Sequence, residues 1–194
     1  MKLGKELNEY KTFLKNNLSK KRYIHSLNVA AMSRELAELY GEDKDKAYFA
    51  GLVHDIAKEL PREVQYDYAK KCTLDVSDIE LSSTPLLHAV AGAQILSEKF
   101  GIDDIEVLKA VRYHTVGSAG MSRLAQIVYL ADLTSEDRDY KDVKKYRKYA
   151  HTSLEKGMYE ALRYSIADTA CKGNTIPVST LEAYNEFVIK LKSL

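Results

Sequence analysis

GLVHDIAKEL, residues 51–60, places a histidine beside an aspartate within an otherwise apolar, helix-forming stretch, and a lysine follows the aspartate by three residues. A buried polar side chain costs free energy unless a partner satisfies it. His54 and Asp55 are therefore predicted to bind something in the interior of the protein. Lys58, one helical turn after Asp55, is predicted to contact an anion there, or else to serve as a lysine near a helix C-terminus.

Helical periodicity runs through the rest of the chain. Three prolines and nine glycines in 194 residues leave few helix breakers, and no strand-like alternation, internal repeat or linker interrupts the pattern. The sequence therefore predicts a single-domain, all-α protein. Helices are predicted from Ile24 to a stop at Gly41, from about Asp43 to a stop at Pro61, from a Thr84 cap to Gly101, from Asp103 or Asp104 to Gly117, and then over 121–134, within 140–172 and over 177–194.

Charge and composition exclude several classes of partner. The chain has 29 basic and 28 acidic residues and a net charge of +1, so neither nucleic acid nor a membrane surface is expected to bind it. Only KDVKKYRKY, 141–149, is locally basic, as a solvated helix face can be. The N-terminus is too charged for a signal peptide, and no apolar run approaches the roughly 20 residues of a membrane span. Cys72 and Cys171 lack metal-type spacing, so we expect free thiols and a cytoplasmic location.

Polar residues recur on the helix faces that the pattern predicts to be buried. His25 and Asp132 fall on apolar stripes, and His88 and His114 lie within two further helical segments. A lone histidine on such a face is usually a satisfied core residue. Four histidines and two aspartates together indicate a metal site, because imidazole and carboxylate ligands from facing helices suit iron, manganese, zinc or cobalt. His88 and His114 could bind phosphate or complete a second metal site with Asp55 as the bridge.

The ordered set H…HD…D in an all-helical chain resembles the HD superfamily of metal-dependent phosphohydrolases. The likeness extends over about residues 20–190 and is greatest for the YqeK-type symmetrical bis(5′-nucleosyl)-tetraphosphatases. The blocks that carry it are IHSLNVA (24–30), GLVHDIAKEL (51–60), LLHAVAGA (86–93), VRYHTVGSAGMSRLAQIVYLADLTSEDRDY (111–140) and TIPVSTLEAYN (175–185).

The resemblance implies one HD domain over residues 1–194, with a motif core at about 20–135 and helices over 140–194 that complete a nucleotide site. It implies hydrolysis of diadenosine tetraphosphate to two ADP with a divalent metal ion, iron first and manganese, cobalt or zinc as alternatives. One ion is predicted and a second is left open. The implied metal ligands are His25, His54, Asp55 and Asp132, and the implied catalytic residues are Asp55, Lys58 and Asp132. The residues implied to contact the nucleotide are His25, Asp55, Ile56, Ala57, Lys58, His88, His114, Thr115, Asp132, Arg138, Thr175, Ile176 and Pro177.

Two segments depart from the family pattern. SED, residues 135–137, stands where a triplet like EPN is expected, and it adds negative charge beside Arg138, the implied phosphate clamp. GNTIPV, residues 173–178, stands where GRLIHP is expected, and it lacks the arginine and the histidine of that pattern. Both differences bear on nucleotide affinity and base preference.

Other functions share parts of this pattern. Another HD phosphohydrolase, for example one acting on nucleoside monophosphates, would use the same ligands. A di-iron oxygenase also carries H…HD…H…H…D, and a nucleotide-binding sensor would retain the site without turnover, although its intact ligand set argues against that. The native metal, the number of ions, the preferred base and the oligomeric state, a homodimer included, are left open by the sequence.

Overall fold

The computed structural model describes residues 3–193, which contain eleven α-helices and no β-strand. This confirms the predicted all-α, single-domain architecture. The helices are α1 (Leu3–Asn17), α2 (Lys20–Tyr40), α3 (Lys44–Val53), α4 (Arg62–Lys71), α5 (Asp78–Ser82), α6 (Thr84–Phe100), α7 (Ile105–Tyr113), α8 (Arg123–Thr134), α9 (Val143–Thr152), α10 (Leu154–Cys171) and α11 (Val178–Lys192).

Five of the helices that build the main core, α2, α3, α6, α7 and α8, pack directly against one another around the polar residues. Helix α2 packs along α3 and α8, and α7 lies against α3, α6 and α8. The inward faces carry fully buried apolar side chains such as Leu36, Phe49, Leu52 and Ile127. Each such side chain contributes roughly 1.5–3 kcal/mol by leaving water. This packing fixes the four helices, α2, α3, α7 and α8, whose ends and inner faces carry most of the predicted polar residues.

Helices α2 and α3 approach each other closely at Gly51. A Cβ atom at this position would lie 3.0 Å from the Cα atom of Ala30 and closer still to the Ser33 hydroxyl. Only a residue without a side chain fits such a crossing. The close approach brings the start of α2, which carries His25, against the end of α3, which is followed by His54.

The helix predicted to end at Pro61 is shorter than expected. Helix α3 ends at Val53, and residues 54–59 form successive turns. The amide of Ile56 bonds to the carbonyl of Val53 at 3.0 Å, and that of Lys58 bonds to the carbonyl of Asp55 at 2.9 Å, which is three-residue rather than four-residue spacing. The histidine and the aspartate of the HD pair therefore lie just beyond the helix and not inside it.

Two other helix ends also differ from prediction. Helix α6 begins at Thr84 itself, so Ser83 and not Thr84 is the N-cap, and the Thr84 hydroxyl accepts a hydrogen bond from Arg62 Nε at 3.0 Å. His114 caps the C-terminus of α7 rather than lying within it. By contrast, the predicted stop at Gly41 and cap at Asp104 are confirmed.

The structure agrees with the sequence on the state of the cysteines. Cys72 and Cys171 are both free. Within residues 3–193, no helix combines the length and the apolar character that crossing a bilayer requires.

Candidate metal centre

Six predicted polar side chains converge in one cluster at the centre of the bundle. Five are at most 3% exposed, and the sixth, Asp132, has a side chain that is 21% exposed and opens the cluster to solvent. They are His25 from α2, His54 and Asp55 from the turn after α3, His88 from α6, His114 from the end of α7, and Asp132 from α8.

The four implied metal ligands face one another. Nε2 of His25 lies 2.9 Å from Oδ1 of Asp132, and Nε2 of His54 lies 3.8 Å from the same oxygen. Nε2 of His54 also lies 3.4 Å from Oδ2 of Asp55. The ligand atoms of His25, His54 and Asp55 are all within 4.8 Å of one another, which is close enough for one ion to contact all three.

Hydrogen bonds outside the cluster fix the orientation of the imidazole rings. Nδ1 of His54 donates to the Gly51 carbonyl at 2.7 Å, and Nδ1 of His114 donates to the Val111 carbonyl at 2.7 Å. Both contacts require a proton on Nδ1, which in a neutral imidazole leaves Nε2 unprotonated. Each ring therefore turns a lone pair toward the centre, as a metal ligand must. The turn that begins at His54 creates this geometry, because it lets the ring reach back to the last turn of α3.

Asp55 divides its two carboxylate oxygens between two groups of partners. Oδ2 lies 2.7 Å from Nη1 of Arg22 and faces His54. Oδ1 lies 3.2 Å from Nε2 of His88 and 3.6 Å from Nε2 of His114. These three ligand atoms also fall within 4.8 Å of one another. Asp55 is thus shared by two overlapping sets of ligands.

The arrangement fits a divalent metal ion. Oδ1 of Asp55 and Nε2 of His54 are buried and have no well-aligned hydrogen-bond partner among residues 3–193. An unsatisfied buried polar atom costs about 1–3 kcal/mol, so two of them in one cluster are unfavourable unless a ligand satisfies them. Imidazole nitrogen and carboxylate oxygen are donors that divalent transition metals prefer.

The protonation states also suit metal binding. Burial alone would raise the pKa of Asp55, but the charge interaction with His54 and the close approach of His114 and His88 hold it well below its usual value. Burial likewise opposes the effect of His25 and Arg138 on Asp132, whose pKa is also held well below the usual range. Burial lowers the pKa of His88 to about 4. Both carboxylates are therefore anionic and His88 is neutral near pH 7.

Cationic side chains border the cluster, as the sequence predicts. Nζ of Lys58 lies 3.1 Å from Nε2 of His88 and 4.0 Å from Oδ1 of Asp55, and burial lowers its pKa. Arg138 pairs with the Asp132 carboxylate, and its Nε donates to the Asp132 carbonyl at 2.8 Å. An anionic ligand at this rim would meet two positive charges beside the carboxylates.

The remaining predicted nucleotide contacts fall into two groups. Ile56 and Ala57 are buried in the apolar core, so their side chains do not face the cluster opening. Thr115 lies 3.0 Å from Nε2 of His114 and also lines a separate cavity of about 50 Å³. That cavity is bordered by the predicted segment Thr175, Ile176 and Pro177, together with Leu86 and Val116.

Two residues of the site were not identified from the sequence. In the sequence, Arg22 belongs to a run of basic residues at the start of a helix. Its position three residues before His25 nevertheless places it on the same helix face. Asp137 was predicted only as an extra charge beside Arg138, yet its Oδ2 accepts a hydrogen bond from Nδ1 of His25 at 2.8 Å. Both line an open pocket of about 190 Å³ at the cluster mouth, with Ser19, Lys21, His25, Glu59 and Arg138.

The fold and the site together define a class of protein. Residues 22–137 match the family described as HD domain, and this span includes all six residues of the buried cluster. The chain therefore belongs to the HD-domain family.

Comparison with full-length relatives confirms the resemblance to symmetrical bis(5′-nucleosyl)-tetraphosphatases that the motif blocks predict. The symmetrical bis(5′-nucleosyl)-tetraphosphatase of Halalkalibacterium halodurans is 35% identical over 179 residues, which are 92% of this chain and 95% of that protein. The enzyme of the same name from Bacillus subtilis is 31% identical over 90% of this chain and 94% of its own length. A crystal structure from Clostridium acetobutylicum, described as a predicted HD superfamily hydrolase involved in NAD metabolism, superposes with a TM-score of 0.90 at 36% identity, over 95% of this chain and 97% of that one.

Proposed function

We propose that this protein is a metal-dependent hydrolase that cleaves diadenosine tetraphosphate symmetrically into two molecules of ADP. One observation carries the proposal: a buried set of imidazoles and carboxylates, with two inward atoms lacking partners, opens to solvent beside Arg138 and Lys58. The names of the full-length relatives support the substrate. The substrate class is thus a dinucleoside polyphosphate, and ADP is the expected product.

His25, His54, Asp55 and Asp132 would hold the metal ion. When bound, a divalent ion lowers the pKa of its water and neutralises phosphate oxygens. We propose iron as the native metal, with manganese, cobalt and zinc as alternatives that the same nitrogen and oxygen donors accept.

The chain's own residues would bind and position the polyphosphate. Arg138, paired with Asp132, presents a planar guanidinium that can make a bidentate contact with phosphate, and Lys58 adds a second positive charge 4.0 Å from Oδ1 of Asp55. Because the terminal phosphate of the leaving ADP has a pKa of about 6, its departure requires little protonation. Catalysis would therefore depend on orientation and charge neutralisation more than on a general acid.

The geometry of the cluster supports the binding of two metal ions. The sequence resemblance favoured phosphate contacts for His88 and His114, but both rings direct Nε2 toward Oδ1 of Asp55, while Oδ2 faces His54. A carboxylate shared in this way can bridge two ions. We infer that His88 and His114 complete a second metal site beside the first.

Product analysis on a nucleotide panel tests the function against its alternatives. A nucleoside monophosphate phosphatase would release inorganic phosphate from AMP, and a di-iron oxygenase would consume oxygen. A sensor would bind the nucleotide without turnover. Conversion of diadenosine tetraphosphate to ADP, with none of these signatures, is the result that we expect.

A further inference from the structure

His25 differs from the other oriented histidines in its hydrogen-bond acceptor. His54 and His114 donate Nδ1–H to backbone carbonyls, whereas His25 donates to the Asp137 carboxylate at 2.8 Å. A carbonyl fixes the ring, but a carboxylate also carries a full negative charge. Such a charge increases the basicity of the opposite ring nitrogen and hence its strength as a metal ligand.

Hydrogen bonds from another helix fix the backbone around Asp137. The turn that follows α8 is bound by Arg147 from α9, whose Nε donates to the Thr134 carbonyl at 2.8 Å and whose Nη2 donates to the Ser135 carbonyl at 2.6 Å and the Arg138 carbonyl at 2.8 Å. One guanidinium thus fixes the backbone on both sides of Asp137. The Asp137 carboxylate therefore extends from a backbone that is fixed by hydrogen bonds to α9 and not from a mobile loop.

The contact is also partly shielded from water. The His25 side chain is 4% exposed and that of Asp137 is 29% exposed. A charged hydrogen bond in this setting is stronger than one between two fully solvated groups. Asp137 reaches no other cluster histidine among residues 3–193, so its effect acts through His25.

We propose that Asp137 is a positioning residue that orients His25 and increases its affinity for the divalent metal ion. The inference rests on the proposed role of His25 as a ligand. It adds a residue outside the HD motif that determines how tightly the ion is held.

Manganese binding to the metal-free protein tests this role without relying on catalysis. The variants are Asp137→Ala, which removes the contact, and Asp137→Asn, which keeps an acceptor of the same shape without charge. The matched control is Asp139→Asn, since Asp139 is exposed, close in sequence and absent from the cluster. Asp137→Ala should weaken the Kd for Mn²⁺ by about 10- to 100-fold, Asp137→Asn by less, and the control should match the wild type.

Each outcome is decisive. If folded Asp137→Ala binds Mn²⁺ with the wild-type Kd, the proposal is wrong. If that variant fails to fold by circular dichroism, Asp137→Asn decides, and a wild-type Kd again overturns the proposal. His25→Ala separates the two claims: a wild-type Kd there would remove the ligand assignment, and the inference with it. A weakened Kd in His25→Ala but not in the Asp137 variants would overturn the inference alone.

Discussion

Asp55 lies within 4.0 Å of five polar side chains and is almost completely buried. It contacts two cations, Arg22 and Lys58, and three histidines, His54, His88 and His114. An isolated carboxylate at this depth would take up a proton, because burial raises its pKa. Its neighbours instead keep it ionised. The residue therefore supplies the negative charge around which the rest of the site is arranged.

The ligand assignment leads to a direct prediction at this scale. Replacing His54 or Asp55 with Ala should remove both bound metal and turnover while the helical fold persists, since each contributes an inward ligand atom to the cluster. Metal content by mass spectrometry and helicity by circular dichroism measure the two effects. His151→Ala is the control, because that histidine is outside the cluster and pairs with Glu35. Full metal occupancy in His54→Ala would disprove the assignment.

Most of the site residues could be predicted from sequence, because a polar residue on an apolar helix face is informative wherever it occurs. His25 and Asp132 have this signature, and His88 and His114 stand in two further segments predicted to be helical. Arg22 and Asp137 lack the signature, since each stands in a charged run that resembles an ordinary surface. Their roles depend on contacts across 33 and 112 residues of sequence, which periodicity does not record.

Among the helices, the end of α3 was not predictable from the helix propensities of the residues around it. Residues 56–60 are good helix formers, and Pro61 is the first strong breaker. The helix nevertheless ends at Val53, where His54 bonds back to Gly51 and Asp55 pairs with Arg22. The pairing of Asp55 with Arg22 is a tertiary contact, so it can override local helix propensity. Together with the local bond of His54 to Gly51, it sets both side chains of the HD pair toward one centre.

Helices α5 and α7 are joined by a buried ion pair that predicts acid sensitivity. Burial tends to raise the pKa of Glu80, but its hydrogen bond and charge interaction with Arg112 hold it below the ordinary value of 4.5. A lowered pKa in the folded state means that the pair stabilises the protein above about pH 4.5 and that this stability is lost as the pH falls further.

Glu80→Gln should therefore destabilise the protein by about 3 kcal/mol at pH 7, because it leaves Arg112 buried without a counter-charge. The loss should shrink as the pH falls below about 4.5. Denaturant unfolding at several pH values measures this, and Asp78→Asn, an exposed acid on the same helix, is the control. An equal loss of stability at pH 7 and at acid pH would contradict the ion-pair account.

In the whole molecule, the helices α2, α6 and α8 and the turns after α3 and α7 combine to form a site that none of them contains alone. We predict that protein loaded with Mn²⁺ or Fe²⁺ binds two ions per chain. His88→Ala and His114→Ala should each lower that ratio by about one and abolish turnover. A ratio unchanged by both substitutions, with only kcat/KM reduced by about 10- to 150-fold, would show that these histidines contact phosphate instead.

We propose that this helical bundle cleaves the middle of a dinucleoside tetraphosphate. Chromatography can identify the nucleotides that metal-loaded protein releases from diadenosine tetraphosphate, with the Asp55→Ala variant as the blank. ADP should be the sole nucleotide product, formed at two molecules per substrate and absent from the blank. Equal amounts of AMP and ATP would contradict it.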